Sequence, residues 1–591
     1  MRIFRELGWF FKQEFKSYAL GAFFLIVIAF INLLPPYLIG RVVDGIRFGT
    51  LTPRELLWTI ALILSVAACS YVLRYFWRLF IFGSAFKLGM ILRNRLFHQF
   101  TRLSPAFYHR HRVGDLMAHA TNDVQAVESA AGEGVMTLVD SFSMGGLVVV
   151  TMLTLDWRLA LIALVPMPAI AFATRRLADL IHVRFERAQE AFSALTGKVQ
   201  ENIGGMRAIK AFGQQDQEIR QFARLTDDVV AKNVAVARVD ALFGPVITFF
   251  VGLSYMLTVG FGALFIVQGS MTLGTLTSFT IYLGHLIWPM LAFGFLFNIM
   301  ERGSASYERI QRLLREPPAI ADRPGARDVA LDGDVVIAIG RFTYPGQETP
   351  ALRDVHVTLP AGGTLGIVGR TGSGKSTLMR LFVREFDIDE GEIAIGGVSI
   401  TDVTLDALRR AVAYVPQDHV LFSATVRENI AFAKPDATQE EIERAARLAH
   451  IHEDIARFPD GYDTVVGERG VTLSGGQKQR LAIARALILN PPILLLDDAL
   501  SAVDGKTEAA IIANLKAVRQ GKTTLISAHR LSAVEHADQI IVLDGGRVIE
   551  HGDHAALLRR GGWYAAMYQK QKLEAFVEAG GGLRGHAARS S

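Results

Sequence analysis

Long apolar segments recur through the first half of this chain and constrain its fold more than any other feature. About 20 consecutive apolar residues are needed for a helix to cross the hydrocarbon core of a bilayer. The chain has six segments that approach or exceed this length, and the fourth, which is short, is expected to be extended by its flanks. They are residues 18–39, 56–73, 135–155, 159–173, 242–267 and 273–300. The sequence therefore predicts an all-α transmembrane domain with six spans.

Two long charged stretches, residues 74–133 and 174–240, separate these segments and indicate their orientation. Both are rich in Arg and Lys, and loops of that composition stay on the cytosolic side of a membrane. This placement accounts for the formal net charge of +5, and the absence of any dense basic run argues against nucleic acid as a partner. Arg41, Arg47 and Arg54, in the first external loop, depart from the rule.

The charged stretches also predict helices much longer than the membrane is thick. An unbroken helix from residue 56 to about residue 101 would be roughly 70 Å long at 1.5 Å per residue. The hydrocarbon core is roughly 30 Å thick, so we expect long cytosolic helical extensions. Separate amphipathic helices lying on the membrane are the alternative. Residues 3–14 place apolar side chains at helical spacing and predict a short interfacial helix.

The composition changes near residue 300, where short strand-like runs begin to alternate with helical ones. That alternation is typical of a soluble α/β domain. We predict a transmembrane domain over residues 1–300, a linker over 301–334, a soluble α/β domain over 335–572 and a flexible tail over 573–591.

A glycine-rich motif carries the strongest chemical signal in the soluble half. It lies between a strand-like run and a helical run and matches G-x-x-x-x-G-K-[ST], the phosphate loop of P-loop NTPases. The glycines let backbone N–H groups close around phosphate oxygens, Lys375 supplies positive charge, and Ser376 offers an oxygen ligand to Mg²⁺. The motif consists of Gly369, Arg370, Thr371, Gly372, Ser373, Gly374, Lys375, Ser376 and Thr377. A nucleotide phosphate with Mg²⁺ is the expected ligand.

A second element supports a metal-bound nucleotide. Residues 493–497 form an apolar run that ends in Asp497, as expected for a buried strand that delivers a carboxylate to Mg²⁺ beside the phosphate loop. An acidic residue at the end of a strand is unremarkable alone, and its position downstream of the phosphate loop makes it informative.

Further motifs resemble those of the ABC exporter family of the multidrug type, in the order in which that family carries them. They are the signature sequence Leu473, Ser474, Gly475, Gly476 and Gln477; the adenine-stacking aromatic Tyr344; the Q-loop residue Gln417; the D-loop residues Ser501 and Asp504; and the switch histidine His529. Residues 104–116 and 201–210 resemble the family's two cytosolic loops. The resemblance covers nearly the whole chain.

The resemblance implies that two cassettes meet head to tail, with ATP held between the phosphate loop of one and the signature of the other. Ser376, Gln417 and Asp497 would then hold Mg²⁺, and Gln417, Asp498 and His529 would act on the reacting phosphate. One chain cannot complete such a site. The chain is therefore expected to be a half-transporter that pairs with a second one.

Asp498 departs from the family pattern, because most active cassettes carry a glutamate at that position. The aspartate side chain is one methylene shorter, which sets the carboxylate back by about 1.5 Å. We therefore expect slow hydrolysis at this chain's own site and an intact signature that serves a partner carrying the glutamate. That asymmetry is a mark of heterodimeric exporters. A homodimer that uses Asp498, and a channel or regulator built on the same scaffold, are the alternatives.

The substrate is the point at which sequence inference is weakest. The spans contain many Phe, Leu and Met residues, which suit either packing in a lipid bilayer or a pocket for hydrophobic or amphipathic small molecules or lipids. The expected activity is ATP-driven export or lipid flipping. The expected location is the bacterial inner membrane, with the N-terminus and the cassette in the cytoplasm.

Overall fold

The computed structural model describes residues 2–467 and 473–587. The chain divides into two compact units, of which the first comprises Met1–Thr101 and Arg112–Glu316 and the second comprises Arg102–His111 and Pro317–Ser591. The second unit therefore includes a short segment, Arg102–His111, that lies between two parts of the first unit in the sequence. The two are described separately below.

The first unit is all α-helical. Its described residues include six helices that are long and apolar enough to cross a membrane, which confirms the predicted transmembrane domain. Two short helices precede them, and one short helix lies between the fourth and fifth. These are α1 (Arg2–Glu6), α2 (Gly8–Gln13), α3 (Phe15–Arg47), α4 (Pro53–Arg102), α6 (Val113–Leu155), α7 (Trp157–Gly204), α8 (Met206–Ala211), α9 (Gln215–Val267) and α10 (Leu273–Arg315). The helix α5 (Pro105–Arg110) belongs to the second unit.

The long helices extend well beyond the apolar segments that predict them. Helix α4 has 50 residues, which corresponds to about 75 Å at 1.5 Å per residue. The predicted linker begins as a continuation of α10, which runs to Arg315. Charged residues lower the mean hydropathy of these extensions without breaking the helix, because Arg, Lys and Glu are good helix formers.

The N-terminal segment differs from the single interfacial helix that the sequence predicts. It forms α1 and α2, and its apolar side chains Ile3, Leu7 and Phe10 are buried inside the first unit. Trp9 donates a hydrogen bond from its indole Nε1 to the hydroxyl of Tyr307 on α10, at 3.1 Å. The apolar face of this segment is therefore covered by protein.

Helices α3 and α10 are joined by a row of polar contacts near a break in α3. Pro35 and Pro36 have no N–H to donate, so they free carbonyl groups where α3 is interrupted. Hydroxyls on α10 donate to carbonyls at this break: Tyr282 to Leu33, and Ser278 to Pro36 at 2.9 Å. These hydrogen bonds give the carbonyls of Leu33 and Pro36 partners on α10 and join the two helices.

The row continues to the ends of both helices. The carboxylate of Asp44 accepts hydrogen bonds from the hydroxyl of Thr272 at 2.6 Å and from the N–H of Gly274 at 2.7 Å. A β-carbon added at Gly274 would overlap the carbonyl oxygen of Gly40, so the two backbones touch here. We refer to the contacts of Leu33, Pro36, Gly40 and Asp44 with Thr272, Gly274, Ser278 and Tyr282 as the α3–α10 seam.

The second unit is an α/β domain built on two main sheets. An antiparallel sheet has the order β2-β1-β4-β5, and a mostly parallel sheet has the order β12-β11-β3-β10-β9-β6. The strands are β1 (Val335–Phe342), β2 (Leu352–Leu359), β3 (Thr364–Gly369), β4 (Glu390–Ile395), β5 (Val398–Ser399), β6 (Val412–Val415), β7 (Ala424–Thr425), β8 (Val465–Val466), β9 (Ile493–Asp497), β10 (Thr523–Ser527), β11 (Gln539–Asp544) and β12 (Arg547–Gly552). Strands β7 and β8 pair separately.

Helices flank these sheets and cover two apolar cores. They are α11 (Lys375–Phe382), α12 (Leu405–Ala411), α13 (Val426–Ala431), α14 (Gln439–Leu448), α15 (His452–Ala456), α16 (Gly475–Leu487), α17 (Gly505–Val518), α18 (His554–Arg560) and α19 (Trp563–Ala587). Helix α19 extends past residue 572, where the sequence predicts a flexible tail, because Leu573 and Glu574 favour helix. Residues 588–591 of that tail lie outside the described residues.

Candidate nucleotide site

The residues predicted to act on ATP follow the carboxyl ends of neighbouring parallel strands. Strands β3, β10, β9 and β6 are adjacent and parallel. Their carboxyl ends therefore meet at one edge of the sheet, where ligands bind in open α/β folds. The phosphate loop follows β3, Gln417 follows β6, Asp498 follows β9 and His529 follows β10. The topology thus gathers residues that are far apart in the sequence.

The phosphate loop has a backbone that only glycine can adopt at its two ends. Gly369 has φ +151° and Gly374 has φ +104°. A β-carbon at Gly369 would overlap the carbonyl of Leu543, and one at Gly374 would lie 2.6 Å from the side chain of Leu352. The loop then enters α11, whose first-turn N–H groups have no partner within the helix and can receive an anion.

The side chain of Lys375, the first residue of α11, folds back into this loop. Its ammonium donates hydrogen bonds to the carbonyl oxygens of Gly369 and Arg370, each at 3.0 Å, and the residue is buried. Burial lowers the pKa of the Lys375 ammonium, and the nearby carboxylates of Asp498 and Asp497 oppose that effect. Phosphate oxygens would offer this charge an anionic partner in place of neutral carbonyls.

Asp497 and Ser376 meet as the sequence predicts for a metal site. The Asp497 side chain is buried, and its Oδ1 accepts a hydrogen bond from the Ser376 hydroxyl at 3.0 Å. Ser527, opposite Asp497 on β10, has a buried hydroxyl with no hydrogen-bond partner among the described residues. A carboxylate beside hydroxyl oxygens is the hard donor set that Mg²⁺ prefers, so these residues fit the ion.

Tyr344 lies next to the first turn of α11. Its hydroxyl donates to the hydroxyl of Thr377 at 3.0 Å, and its ring packs edge-on against Phe342 and Phe386. The half-buried ring has a fixed place beside the phosphate loop. An aromatic side chain in that place can stack on a purine.

The backbone of Asp498 is held on both sides. The residue adopts φ +50°, its N–H donates to the carbonyl of Ser527 at 2.9 Å, and its own carbonyl accepts from Ser501 and from Gln479, both at 3.0 Å. Non-glycine residues persist in this left-handed region only when their surroundings hold them there. The side chain of Asp498 therefore projects from a fixed point.

The signature begins a helix. Ser474 is the residue preceding α16, and its hydroxyl accepts from the N–H of Gln477 at 3.3 Å while the Gln477 side chain accepts from the N–H of Ser474 at 3.0 Å. This reciprocal capping box fixes the first turn of α16. The N–H groups of Gly475 and Gly476 lie in that turn, and free N–H groups at a helix start can bind an anion.

The D-loop connects β9, the strand that carries Asp497, to α17, and it packs against the start of the signature helix α16. A β-carbon at Gly476 would lie 2.8 Å from the carbonyl oxygen of Ala502. Asp504 begins α17 by accepting hydrogen bonds from the N–H groups of Lys506 and Thr507, at 3.1 and 3.0 Å. The bonds from Thr507 above all lower the pKa of the Asp504 carboxyl. Gln417 and His529 are exposed.

The comparisons with known proteins agree with this architecture. The family model of the ABC transporter transmembrane region matches residues 18–290, and the ABC transporter model matches residues 352–501. The chain is 49% identical over 580 residues to the multidrug resistance-like ATP-binding protein MdlA of Escherichia coli (strain K12), with 98% of each chain covered. This chain belongs to the ABC transporter family.

Other relatives identify this ABC transporter as an exporter. The chain is 44% identical to the probable multidrug resistance ABC transporter ATP-binding/permease protein YheI of Bacillus subtilis (strain 168), over 98% of this chain and 99% of YheI. It is 36% identical to the ATP-dependent lipid A-core flippase of Syntrophus aciditrophicus (strain SB), over 82% of this chain and 80% of the flippase. A bacterial Atm1-family ABC exporter with ATP bound shares the fold at a TM-score of 0.78 and 28% identity, with 94% of this chain and 98% of that chain covered. ATP hydrolysis drives export by this multi-pass membrane protein.

The sequence analysis assigns no role to two further residues of the exporter's site. Gln479, on the buried face of α16, donates to the carbonyl of Asp498 and accepts from the N–H of Ala502 at 2.8 Å. Tyr414, on β6, donates to Oδ2 of Asp497 at 3.3 Å. A buried polar residue on an otherwise apolar helix face is the signal that could have identified Gln479.

Proposed function

We propose that this chain is the catalytically weaker subunit of a heterodimeric ABC exporter. Its own phosphate loop binds ATP and Mg²⁺ but hydrolyses slowly, and its signature completes the site of a partner half-transporter that carries a glutamate at the position of Asp498. The single observation that supports this most strongly is the fixed backbone of Asp498.

Each predicted residue has a role in nucleotide binding. The loop N–H groups and Lys375 bind the phosphates, Tyr344 stacks on the base, and Ser376, Asp497 and Gln417 hold the metal. Mg²⁺, when bound, neutralises charge on the phosphate oxygens. The contact between Ser376 and Asp497 supports this assignment, and Gln417 is exposed after β6, at the same edge of the sheet.

The weakness of the site follows from the length of one side chain. A general base must come within hydrogen-bond reach of the attacking water. Because both backbone groups of Asp498 are engaged, the chain cannot move toward the phosphate to compensate for the missing methylene. An error of about 1 Å in positioning can lower a rate about 100-fold. His529, across the same sheet edge, would contact the reacting phosphate.

Substituting Asp498→Glu tests the proposal directly. Full-length protein, co-purified with its partner in lipid nanodiscs, should gain roughly 10- to 100-fold in hydrolysis at this site once the partner's site is silenced. Asp498→Asn, which has the same length and no base, should stay at the low rate. Equal turnover of the wild-type chain and the Asp498→Glu variant would contradict a limiting role for Asp498.

The oligomeric state tests the pairing separately. Expressed alone, the chain should not form a dimer with transport-coupled ATPase activity, because both of its sites would carry Asp498. Light scattering and ATPase assays in nanodiscs measure both properties. A stable and fully active homodimer would refute the heterodimer and favour a site that works with Asp498.

The transported molecule is proposed to be a hydrophobic or amphipathic small molecule or a lipid. The names of MdlA and of the lipid A-core flippase support this class, as do the apolar spans. The placement in the inner membrane, with a cytoplasmic cassette, follows from the basic loops and the bacterial relatives. Stimulation of ATPase activity by a panel of lipophilic cations and lipids should show which class binds. ATP-dependent flux distinguishes an exporter from a channel.

A further inference from the structure

The metal carboxylate of Asp497 has two oxygens with different partners. Oδ1 accepts from Ser376, which belongs to the phosphate loop, at 3.0 Å. Oδ2 accepts from the phenol of Tyr414 at 3.3 Å. Tyr414 lies three residues before the Q-loop residue Gln417, and the motifs assign it no role. Its hydroxyl is the second group that determines how the carboxylate is turned.

The position of Tyr414 follows from the sheet. Strand β6 lies parallel to β9, and Tyr414 is aligned with Leu495, so a long side chain on β6 can reach the carboxyl end of β9. The ring is half-buried and packs against the core between the two sheets. A tyrosine in this place has a fixed ring and a hydroxyl at the metal carboxylate.

The phenol of Tyr414 is the donor in this contact. A phenol keeps its proton at neutral pH, and a carboxylate oxygen accepts. Burial raises the pKa of the Tyr414 phenol, and nearby carboxylates raise it further. Hydrogen bonds to charged acceptors contribute more than those between neutral groups.

Partners of a metal ligand usually fix its orientation and tune its affinity for the ion. We propose that Tyr414 is a positioning residue for Mg²⁺ at this chain's nucleotide site. Its hydroxyl holds Oδ2 of Asp497 so that Oδ1 stays beside the Ser376 hydroxyl, where both can face the metal. The inference rests on the metal site proposed above, and it makes the strand that leads into the Gln417 loop part of that site.

Removing the hydroxyl with Tyr414→Phe tests the inference. Binding of a fluorescent ATP analogue to the full-length protein in nanodiscs is titrated with free Mg²⁺. The half-saturating Mg²⁺ concentration should rise about 3- to 10-fold, toward the low end for such partners because the hydrogen bond is long. The affinity for the analogue in EDTA should not change, because the phenol contacts the carboxylate and not the phosphate loop.

Tyr462→Phe is the matched control. Its hydroxyl is also half-buried in the cassette but is hydrogen-bonded to Nδ1 of His452 at 2.8 Å, so the Mg²⁺ titration should match that of the wild type. An unchanged titration for Tyr414→Phe would overturn the inference. So would a loss of affinity in EDTA without a shift in Mg²⁺ dependence, because that would place Tyr414 in general nucleotide binding or folding.

The same titration separates this inference from the metal site itself. Ser376→Ala should raise the half-saturating Mg²⁺ concentration, because it removes a proposed ligand of the ion. A wild-type chain with no Mg²⁺ dependence would overturn the metal site, and the role of Tyr414 with it. Suppose that the wild type requires Mg²⁺ and that Ser376→Ala raises the half-saturating Mg²⁺ concentration but Tyr414→Phe does not. That result would overturn the role of Tyr414 alone.

Discussion

Arg519 is a buried cation at the end of the cassette sheet opposite the nucleotide. Its guanidinium donates to the carbonyls of Pro491, Pro492 and Thr523, at 2.7, 3.1 and 2.6 Å, and to the hydroxyl of Thr524 at 3.2 Å. Burial lowers the pKa of the Arg519 guanidinium to about 10, so it stays charged at neutral pH. One side chain thus joins the segment before β9 to the start of β10.

We predict that Arg519→Leu destabilises the protein by about 3 kcal/mol, because several buried carbonyl groups lose their donor at once. The exposed Arg559→Leu should change stability by no more than about 0.5 kcal/mol. Denaturant unfolding, followed by a cassette-specific probe, measures the difference. Equal effects of the two substitutions would show that water or neighbouring groups replace the lost donors.

Side chains of this kind mark the limit of prediction from sequence. The phosphate loop and Ser474 could be predicted because each lies in a motif with short, fixed spacing. Asp497 could be predicted because it ends an apolar strand-like run downstream of the phosphate loop. Tyr414, Gln479 and Arg519 act on residues from other strands and loops, and only the order of the parallel strands brings those residues together. That order follows from the whole domain and not from any local pattern.

Among the elements, the six spans were predictable but their ends were not. Apolar composition identifies the part of each helix that crosses a membrane. The helix itself continues beyond that part, as far as its residues favour helix and its side chains pack against other helices. The N-terminal helices show the same limit. Their periodicity predicts an apolar face, but whether protein or lipid covers that face depends on α10.

The α3–α10 seam gives an element-scale prediction. Gly274→Ala should lower stability by about 1–3 kcal/mol, because a β-carbon would overlap Gly40 and push apart two long helices that can relax only together. Gly260→Ala is the matched control. Gly260 also lies in a membrane helix, α9, but a β-carbon there meets no atom within 4 Å.

Thermal unfolding in detergent measures both substitutions. Gly260→Ala should be neutral or slightly stabilising, because alanine is the better helix former. If Gly274→Ala behaved in the same way, the close approach of Gly40 and Gly274 would not contribute to stability.

For the whole molecule, the six spans among the described residues would put α1 and the cassette on one side of the membrane. The chain has one cysteine, Cys69, so a Cys69→Ser background permits single-cysteine labelling. Gln214→Cys, before α9, should react with an impermeant maleimide only in inside-out vesicles. Ser270→Cys, between α9 and α10, should react only in right-side-out vesicles. The reverse pattern would invert the proposed topology.

The membership of Arg102–His111 in the second unit has a consequence for biosynthesis. This segment is translated more than 200 residues before Pro317, where the rest of the cassette begins. Ala106, on α5, packs against the core between the cassette's sheets. The last domain to be made must therefore incorporate a piece of chain that was translated long before it. A cassette expressed from Pro317 onward would lack that piece, and Ala106 would not cover its core.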